Sequence, residues 1–242
     1  MRVGLFVTCL VDLMRPSIGF ASLKLLESAG CEVVVPETQT CCGQPGFNSG
    51  DRKTARDLAL KFLHEFEGCD YVVAPSGSCA GMIRTHYADL FKDDPSVLGR
   101  LASLTERTYE LTDFLVNVVK LSNIPGGFTG TITYHDSCSG LRELGVKQQP
   151  RDLLAKTPGL SLCEMNDATK CCGFGGTFSI KLGEISTRMA ENKCVNIEAT
   201  KADALVGGDL GCLLNIEGRL RRRGDDKTRV YHVAEILAGM TD

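Results

Sequence analysis

The chain has 242 residues, of which 43% are hydrophobic, so it can bury one large core or two smaller ones without disulfide bonds. Its formal net charge of -3 and its pI near 5.9 exclude a general attraction to nucleic acid or to an anionic membrane surface. No stretch approaches the roughly 18 consecutive apolar residues of a membrane-spanning helix, so we expect a soluble protein without a membrane span.

The chain contains twelve cysteines, which in a protein of this size can indicate a secreted disulfide scaffold. The first residues argue against secretion, because the apolar run from Val3 to Val11 is short, is closed by Asp12 and precedes no small-residue cleavage site. We therefore expect a cytoplasmic protein, in which thiols stay reduced and paired cysteines more often bind metal.

The first half alternates short apolar runs with segments of helical periodicity. Strands are predicted at Val3 to Thr8, Val33 to Val35 and Tyr71 to Ala74, and helices at about Ser17 to Ala29 and Asp51 to Phe66. Asp51 is placed to cap the second helix, because its carboxylate can accept hydrogen bonds from the free N–H groups of the first turn. A cysteine follows each predicted strand.

The second half repeats this order at a spacing of about 130 residues. Its predicted strands are Gly130 to Tyr134, Gly159 to Cys163 and Ala204 to Val206, and each again leads to cysteine. The segment 108–115 also resembles the segment 230–237. We infer an internal duplication, with one half at residues 1–120, the other at 129–242, and a linker at 121–128, where proline and glycines interrupt both periodicities.

Strands that alternate with helices predict an α/β fold of two similar, duplicated halves with mainly parallel sheets, because parallel neighbours need crossover connections. In such sheets ligands bind beyond the carboxyl ends of the strands. The recurring cysteines follow strands, so we expect them at that edge of each sheet.

Eight cysteines recur at matching places after strands and are the candidate metal ligands. They are Cys9, Cys41, Cys42 and Cys79 in the first half and Cys138, Cys171, Cys172 and Cys212 in the second. The remaining four lie in or just before a strand or have no counterpart, and we interpret them as small buried hydrophobic residues. These are Cys31, Cys69, Cys163 and Cys194.

Adjacent cysteines cannot easily bond to each other, and two thiolates beside flexible glycines suit a soft metal or an iron–sulfur cluster. Zinc is one alternative, although structural zinc sites usually draw on close C-x2-C pairs rather than on ligands far apart in sequence. An iron–sulfur cluster is larger, prefers thiolates and is tuned by backbone N–H groups near its sulfurs. Gly43 and Gly173 would allow that approach, and helices starting after Cys79 and Cys212 would add favourable partial positive charge.

The repeated pattern of a lone cysteine, then Cys-Cys-Gly, then a closing cysteine resembles the cysteine-rich CCG-domain family over essentially the whole chain. That family includes the B subunit of heterodisulfide reductase and the iron–sulfur subunit of bacterial lactate utilisation. The motifs Cys41-Cys42-Gly43-Gln44-Pro45 and Cys171-Cys172-Gly173-Phe174-Gly175-Gly176 are most similar to those of the lactate-utilisation subunit.

The family pattern closes with C-x-x-C, whereas here Ser76 and Asp209 stand in place of the first cysteine of that pair. In the heterodisulfide reductase relatives, five cysteines hold a non-cubane cluster, so four cysteines per half make a cubane 4Fe-4S cluster the simpler expectation. Ser76 and Asp209 are candidate oxygen ligands, and the alternative is that they are ordinary turn and helix-capping residues.

The resemblance implies a cytoplasmic iron–sulfur electron-transfer subunit with up to two 4Fe-4S clusters, acting in a complex that oxidises L-lactate to pyruvate. Its implied partners are the other subunits of that complex, including a ferredoxin-like iron–sulfur protein. Two alternatives remain open: a structural zinc protein or scaffold with degenerate sites, and a thiol-disulfide reductase of the heterodisulfide type. The sequence itself shows no nucleophile–base pair or paired carboxylates in a recognisable setting, so it indicates a metal site and no substrate site.

Three further features carry weaker signals. The loop Gly173 to Gly176 is not a dinucleotide fingerprint, because the last glycine of G-x-G-x-x-G would fall at Phe178. His135 could act as a hydrogen-bond donor or proton relay beside the metal, although a histidine at a strand end is more often structural. The basic run Arg219 to Arg223 is interpreted as a solvated helix end, with docking to a redox partner as the alternative.

Overall fold

The computed structural model describes residues 1–241 and contains two four-stranded sheets in which every strand pair is parallel. The strands of the first sheet are β1 (Arg2–Leu5), β2 (Glu32–Val34), β3 (Tyr71–Ala74) and β4 (Thr108–Glu110), in the order β2-β1-β3-β4. Those of the second are β5 (Gly130–His135), β6 (Leu160–Leu162), β7 (Ala204–Gly207) and β8 (Arg229–His232), in the order β6-β5-β7-β8. The identical order confirms the predicted duplicated α/β fold.

Helices connect the strands and cover both sheets. In the first half they are α1 (Cys9–Met14), α2 (Ser17–Ser28), α3 (Gln44–Ser49), α4 (Arg52–Phe66), α5 (Gly77–Gly81), α6 (Tyr87–Leu90), α7 (Pro95–Glu106) and α8 (Leu111–Asp113). In the second half they are α9 (Cys138–Leu144), α10 (Gln148–Leu154), α11 (Thr177–Lys181), α12 (Gly183–Thr200), α13 (Leu210–Arg222) and α14 (Val233–Ala238). Two π-helical segments, Met82–His86 and Phe114–Val118, extend α5 and α8. Within residues 1–241, no helix is both long and apolar enough to cross a membrane.

The predicted elements agree with the structure where their periodicity is strong. The third predicted strand is β3 itself, and the predicted second helix is α4, with Asp51 as its N-cap. The Asp51 carboxylate accepts a hydrogen bond from the Thr54 N–H at 3.1 Å. The strands β4 and β8 escaped prediction, because they are short, mix polar with apolar residues and pass directly into α8 and α14.

The two halves have the same strand register, which defines equivalent residues. Val3 pairs with Val33 in the first sheet, and Ile132 pairs with Leu162 in the second. The central strands β3 and β7 are almost wholly buried, whereas the outer strands β2 and β6 are only partly covered. Because the registers agree, residues of β1 and β5 can be compared position by position.

The halves pack against each other mainly through two helix pairs, α2 on α14 and α5 on α9, with smaller contacts of α1 on α13 and α8 on α10. The second pair is very close, because a Cβ atom on Gly77 would lie 2.9 Å from the Gly140 Cα. Polar contacts cross the same boundary: Arg15 forms an ion pair with Glu217 at 2.9 Å. One hydrophobic cluster contains side chains from both sheets, so the two halves share part of their core.

Candidate metal centre

The eight candidate cysteines all lie at the carboxyl edge of their sheet. In the first half, Cys9 begins α1, the pair Cys41 and Cys42 follows β2, and Cys79 lies in α5. In the second half, Cys138 begins α9, the pair Cys171 and Cys172 follows β6, and Cys212 lies in α13. We call these the first and second cysteine sets. One expectation needs correction: α5 and α13 begin before Cys79 and Cys212 rather than after them, so these cysteines lie in the first helical turn.

The thiols of the first cysteine set surround one cavity of about 150 Å³. Cys41 is within hydrogen-bonding reach of Cys9 and Cys42, and Cys42 is within reach of Cys79. Residues of the other half, including Phe174 and Asp209, close the cavity from the opposite side. Four thiols around one space are a suitable donor set for a soft metal or an iron–sulfur cluster.

The second cysteine set has the same connectivity. Cys171 is within hydrogen-bonding reach of Cys138 and Cys172, and Cys172 is within reach of Cys212. Cys172 and Cys212 are buried, and their sulfur atoms lie within 4.8 Å of each other and of a ring nitrogen of His135. The structure thus brings all four second-half candidates together and adds a histidine to them.

Each cysteine pair is held by a glycine in the left-handed backbone region. Gly43 has φ 84° and Gly173 has φ 89°, and the N–H of each donates to the sulfur of the cysteine two residues earlier, at 3.4 Å. This conformation turns the backbone N–H groups toward the thiols. The carbonyl of each second cysteine is also fixed: Tyr87 donates to Cys42 and Asn215 to Cys172.

One thiol in each set ionises far more readily than a free cysteine. Hydrogen bonds from Cys42 and Cys9 lower the pKa of Cys41 to about 3, and hydrogen bonds from Cys138 and Cys172 lower the pKa of Cys171 to about 2. The hydrogen bond with Cys171, and burial, raise the pKa of Cys172. A bound metal would replace those thiol protons, because thiolates are the form that ligates metal.

Ser76 and Asp209 contact each other across the boundary between the halves. Ser76 is the N-cap of α5, and its hydroxyl accepts a hydrogen bond from the Cys79 N–H at 3.2 Å. Asp209 does not cap its own helix; its carboxylate accepts from the Ser78 N–H at 2.8 Å and from the Ser76 hydroxyl at 3.3 Å. Both side chains are therefore engaged in capping the first-half helix that carries Cys79.

Replacing Asp209 with alanine is expected to lower the free energy of unfolding by about 1–2 kcal/mol, because the buried Ser76 hydroxyl and the partly buried Ser78 N–H lose their acceptor. Asp209→Asn keeps an oxygen acceptor and should cost less. Denaturant unfolding and iron content, measured on the same oxygen-free samples, test this role. Iron lost from the Asn variant at unchanged stability would identify Asp209 as a metal ligand instead of a cap.

Two buried polar residues distinguish the second set from the first. Burial, with a contribution from Lys193, lowers the pKa of His135 to about 3, so its imidazole is neutral and carries one N–H. Burial also lowers the pKa of Lys193, against the opposing influence of Cys172 and Asp136. Sequence reasoning noted His135 and missed Lys193, whose only signal was a lysine at a buried position of the α12 periodicity.

Each cysteine set is reached from solvent by its own opening. The opening at the first set, about 390 Å³, is lined by Cys9 and Cys41 with the acidic residues Asp12 and Glu37. The opening at the second set, about 590 Å³, is lined by Cys171 with the basic residues Arg142, Lys170 and Lys193 and the acidic residue Asp167. The two openings adjoin the equivalent cysteines Cys41 and Cys171, but the second extends along α12, and the two differ in charge.

The other cysteines and the basic run lie in surroundings typical of residues that stabilise the fold. Cys31, Cys69 and Cys194 are buried in the hydrophobic cores, and Cys163 is partly buried. The basic run at the end of α13 is largely paired within the chain, because Arg219 contacts Glu191 and Arg223 contacts Glu198.

The sequence matches the profile of one protein family, described as the CCG cysteine-rich domain, over residues 3–84 and 132–217. Each matched range contains one complete cysteine set. A protein from Geobacillus thermodenitrificans named Lactate utilization protein A is 48% identical over 237 residues, which are 98% of each chain. A protein of the same name from Bacillus cytotoxicus is 46% identical over the same share of both chains.

Among solved structures, a hypothetical protein from Helicobacter pylori is similar with a TM-score of 0.68 at 12% sequence identity. The match covers 100% of this chain and 49% of that one, so the present chain spans about half the length of that protein. At this identity the likeness concerns the fold alone.

Proposed function

Because the chain belongs to the CCG cysteine-rich domain family, with both of its halves matched, we propose that it is an iron–sulfur electron-transfer subunit of a complex that oxidises L-lactate to pyruvate. The relatives named Lactate utilization protein A support the choice of pathway, because they match nearly the full length of this chain. The proposed complex is cytoplasmic and includes a ferredoxin-like iron–sulfur partner.

The observation that carries the proposal is the pair of four-thiol sets, one at the carboxyl edge of each sheet. Each set would hold one 4Fe-4S cluster, which supplies one-electron transfer when bound. The glycine loops contribute to this role because the N–H groups of Gly43 and Gly173 donate to ligand sulfur, and such donation stabilises negative charge on a cluster.

The surroundings of the cysteine sets also support exchange of electrons with partner proteins. Both sets open to solvent, so a partner can approach each of them. Large apolar side chains are exposed on the adjoining helices: Leu13 on α1 is 76% exposed, and Ile180 on α11 is 83% exposed. Further exposed apolar residues lie near each of them, Met14 beside Leu13, and Leu182 and Ile185 after Ile180, and contiguous exposed apolar patches mark surfaces that bind other proteins.

Purification without oxygen tests the proposal directly. Iron and acid-labile sulfide are expected in equal amounts, with a visible absorbance that dithionite bleaches. Stoichiometric zinc without iron would contradict the proposal and support a structural zinc site.

A disulfide-reduction assay on the same sample tests the remaining alternative. Catalysed reduction of a disulfide, with iron present, would indicate a reductase of the heterodisulfide type. We expect no such activity, because Ser76 and Asp209 replace the fifth cysteine and already engage each other.

A further inference from the structure

The duplication allows the surroundings of the two cysteine sets to be compared residue by residue. Val3 and Ile132 occupy equivalent positions in β1 and β5 because they have the same pairing register. Phe6 and His135 each lie three residues further along the chain, so they are equivalent as well. The helices α4 and α12 are also equivalent. Gly43 lies next to Ala55 and Leu58 of α4, and Gly173 lies in the same way next to Ser186 and Met189 of α12. That alignment makes Phe62 and Lys193 equivalent, and both are buried.

The first set lies against aromatic rings. Phe6 and Phe62 pack edge to face with their centroids 5.3 Å apart, and Phe62 packs in the same way on Tyr87 at 5.7 Å. Neither phenylalanine brings a hydrogen-bond donor or a charge to the thiols of Cys41 and Cys42.

The second set lies against a histidine and a lysine at the equivalent positions. His135 is 1% exposed, and among residues 1–241 neither of its ring nitrogens makes a well-aligned hydrogen bond, although the Ala168 backbone is close enough to act on the imidazole. One of those nitrogens lies within 4.8 Å of the sulfur atoms of Cys172 and Cys212. A buried imidazole without a well-aligned partner costs stability, so its proximity to the two sulfurs suggests a role beside the group they hold.

Lys193 brings a positive charge to the same place. Its ammonium donates to the carbonyl oxygens of Asp167 at 2.6 Å and Ala168 at 3.2 Å, and within the described residues it forms no ion pair. The nearest carboxylates are already engaged: Asp136 is paired with Arg151, and Asp167 with Lys170.

The carboxylate of Asp209 opposes this charge but does not distinguish the two sets. It lines the cavity of the first set, and its charge also acts on Cys138 and Cys212 of the second. The pair His135 and Lys193, in place of two phenylalanines, is therefore an electrostatic difference between the buried surroundings of the two sets, in addition to the charge difference between their openings.

Building on the proposed function, we propose that His135 and Lys193 raise the reduction potential of the iron–sulfur centre in the second half above that of the centre in the first. Reduction adds one electron, and a nearby N–H donor and positive charge stabilise the added negative charge. A single electron shared between the two centres then resides mainly in the half that carries Cys171. His135 and Lys193 act through the sulfur ligands, so they are positioning residues.

A redox titration followed by electron paramagnetic resonance tests the inference on the full chain, purified without oxygen. The unaltered chain is expected to show two one-electron steps. In Cys41→Ser, which removes a ligand of the first centre, the step at higher potential should remain. In Cys171→Ser the step at lower potential should remain.

The two positioning residues, His135 and Lys193, are then changed within the Cys41→Ser chain. Lys193→Met and His135→Phe are each expected to lower the ratio of reduced to oxidised centre at a fixed potential about tenfold, which is about 59 mV for one electron. Lys193→Arg keeps the charge and should restore most of the ratio. The matched control is Phe62→Met in the Cys171→Ser chain, which introduces no charge and should leave the first-half step unchanged.

The outcomes separate this inference from the proposed function. Absence of iron and sulfide would overturn the proposed function, and this inference with it. Two iron–sulfur centres of equal potential, or a lower potential in the second half, would overturn this inference alone, as would unshifted steps in both tuning variants. If Lys193→Met binds no iron because it fails to fold, the shift of the second-half step in His135→Phe decides, and an unshifted step there would overturn this inference.

Discussion

Replacing Cys171 with serine is expected to remove about half of the bound iron and sulfide, and replacing Cys41 is expected to remove the other half. Each of these cysteines lies between two other thiols of its set, and hydrogen bonds from them hold its pKa far below that of a free cysteine. The serine oxygen is a harder donor than sulfur, and the hydroxyl is a much weaker acid than a thiol, so serine does not substitute for the thiolate at pH 7. Iron and sulfide analysis of the oxygen-free variants is the measurement.

Cys194→Ser is the matched control for these changes. Cys194 is as deeply buried as any cysteine of the chain, but it lies within the hydrophobic core, where its thiol is near the Ile216 carbonyl at 3.9 Å. The serine variant should keep all of its iron and lose only some stability. Loss of all iron from Cys171→Ser would indicate a single shared centre, and unchanged iron would show that the ligand assignment is wrong.

Gly173→Ala is expected to empty the second centre and to lower the free energy of unfolding by about 2–3 kcal/mol. Gly173 has φ 89°, a region that an alanine rarely adopts, and an added Cβ would lie 2.8 Å from the Ser186 oxygen. Relief of that contact moves the loop and with it the N–H that donates to Cys171. Denaturant unfolding and iron analysis give the two readouts.

Two other glycines serve as comparisons. Gly43→Ala should have a smaller effect on the first centre, because its Cβ would lie 3.3 Å from the nearest atom, the Ala55 oxygen. Gly183 begins α12 and has open space around its Cα, so Gly183→Ala should be neutral or stabilising by about 0.5 kcal/mol. A loss of iron from Gly183→Ala as large as from Gly173→Ala would contradict the proposed role of the left-handed loop.

The sequence alone was sufficient to predict the parallel α/β halves and the grouping of the cysteines. Both predictions rest on short-range patterns, since alternating apolar runs and recurring Cys-Cys-Gly motifs are visible in the sequence. The strand β8 was missed for the opposite reason. Its pairing with β7 supplies the stabilisation that its mixed sequence, with Arg229 and His232 at its ends, does not indicate.

The details of the site depended on contacts between residues far apart in the chain. Asp209 caps a helix more than a hundred residues earlier, and no spacing rule indicates such a partner. Lys193 stands at a position of α12 where the amphipathic pattern calls for an apolar side chain. The equivalent residue beside the other cysteine set, Phe62, is apolar as that pattern requires.

The packing between the halves bears on how the chain could have arisen. The helix α5 contacts α9, and their equivalents α13 and α1 contact each other, so the boundary uses the same two surfaces twice. A boundary of this kind is self-complementary, as in a twofold dimer of identical subunits. Identical subunits must carry the same residue at equivalent places, whereas the two halves of one gene can diverge. Joining them in tandem is therefore the step that permits a histidine and a lysine on one side and two phenylalanines on the other.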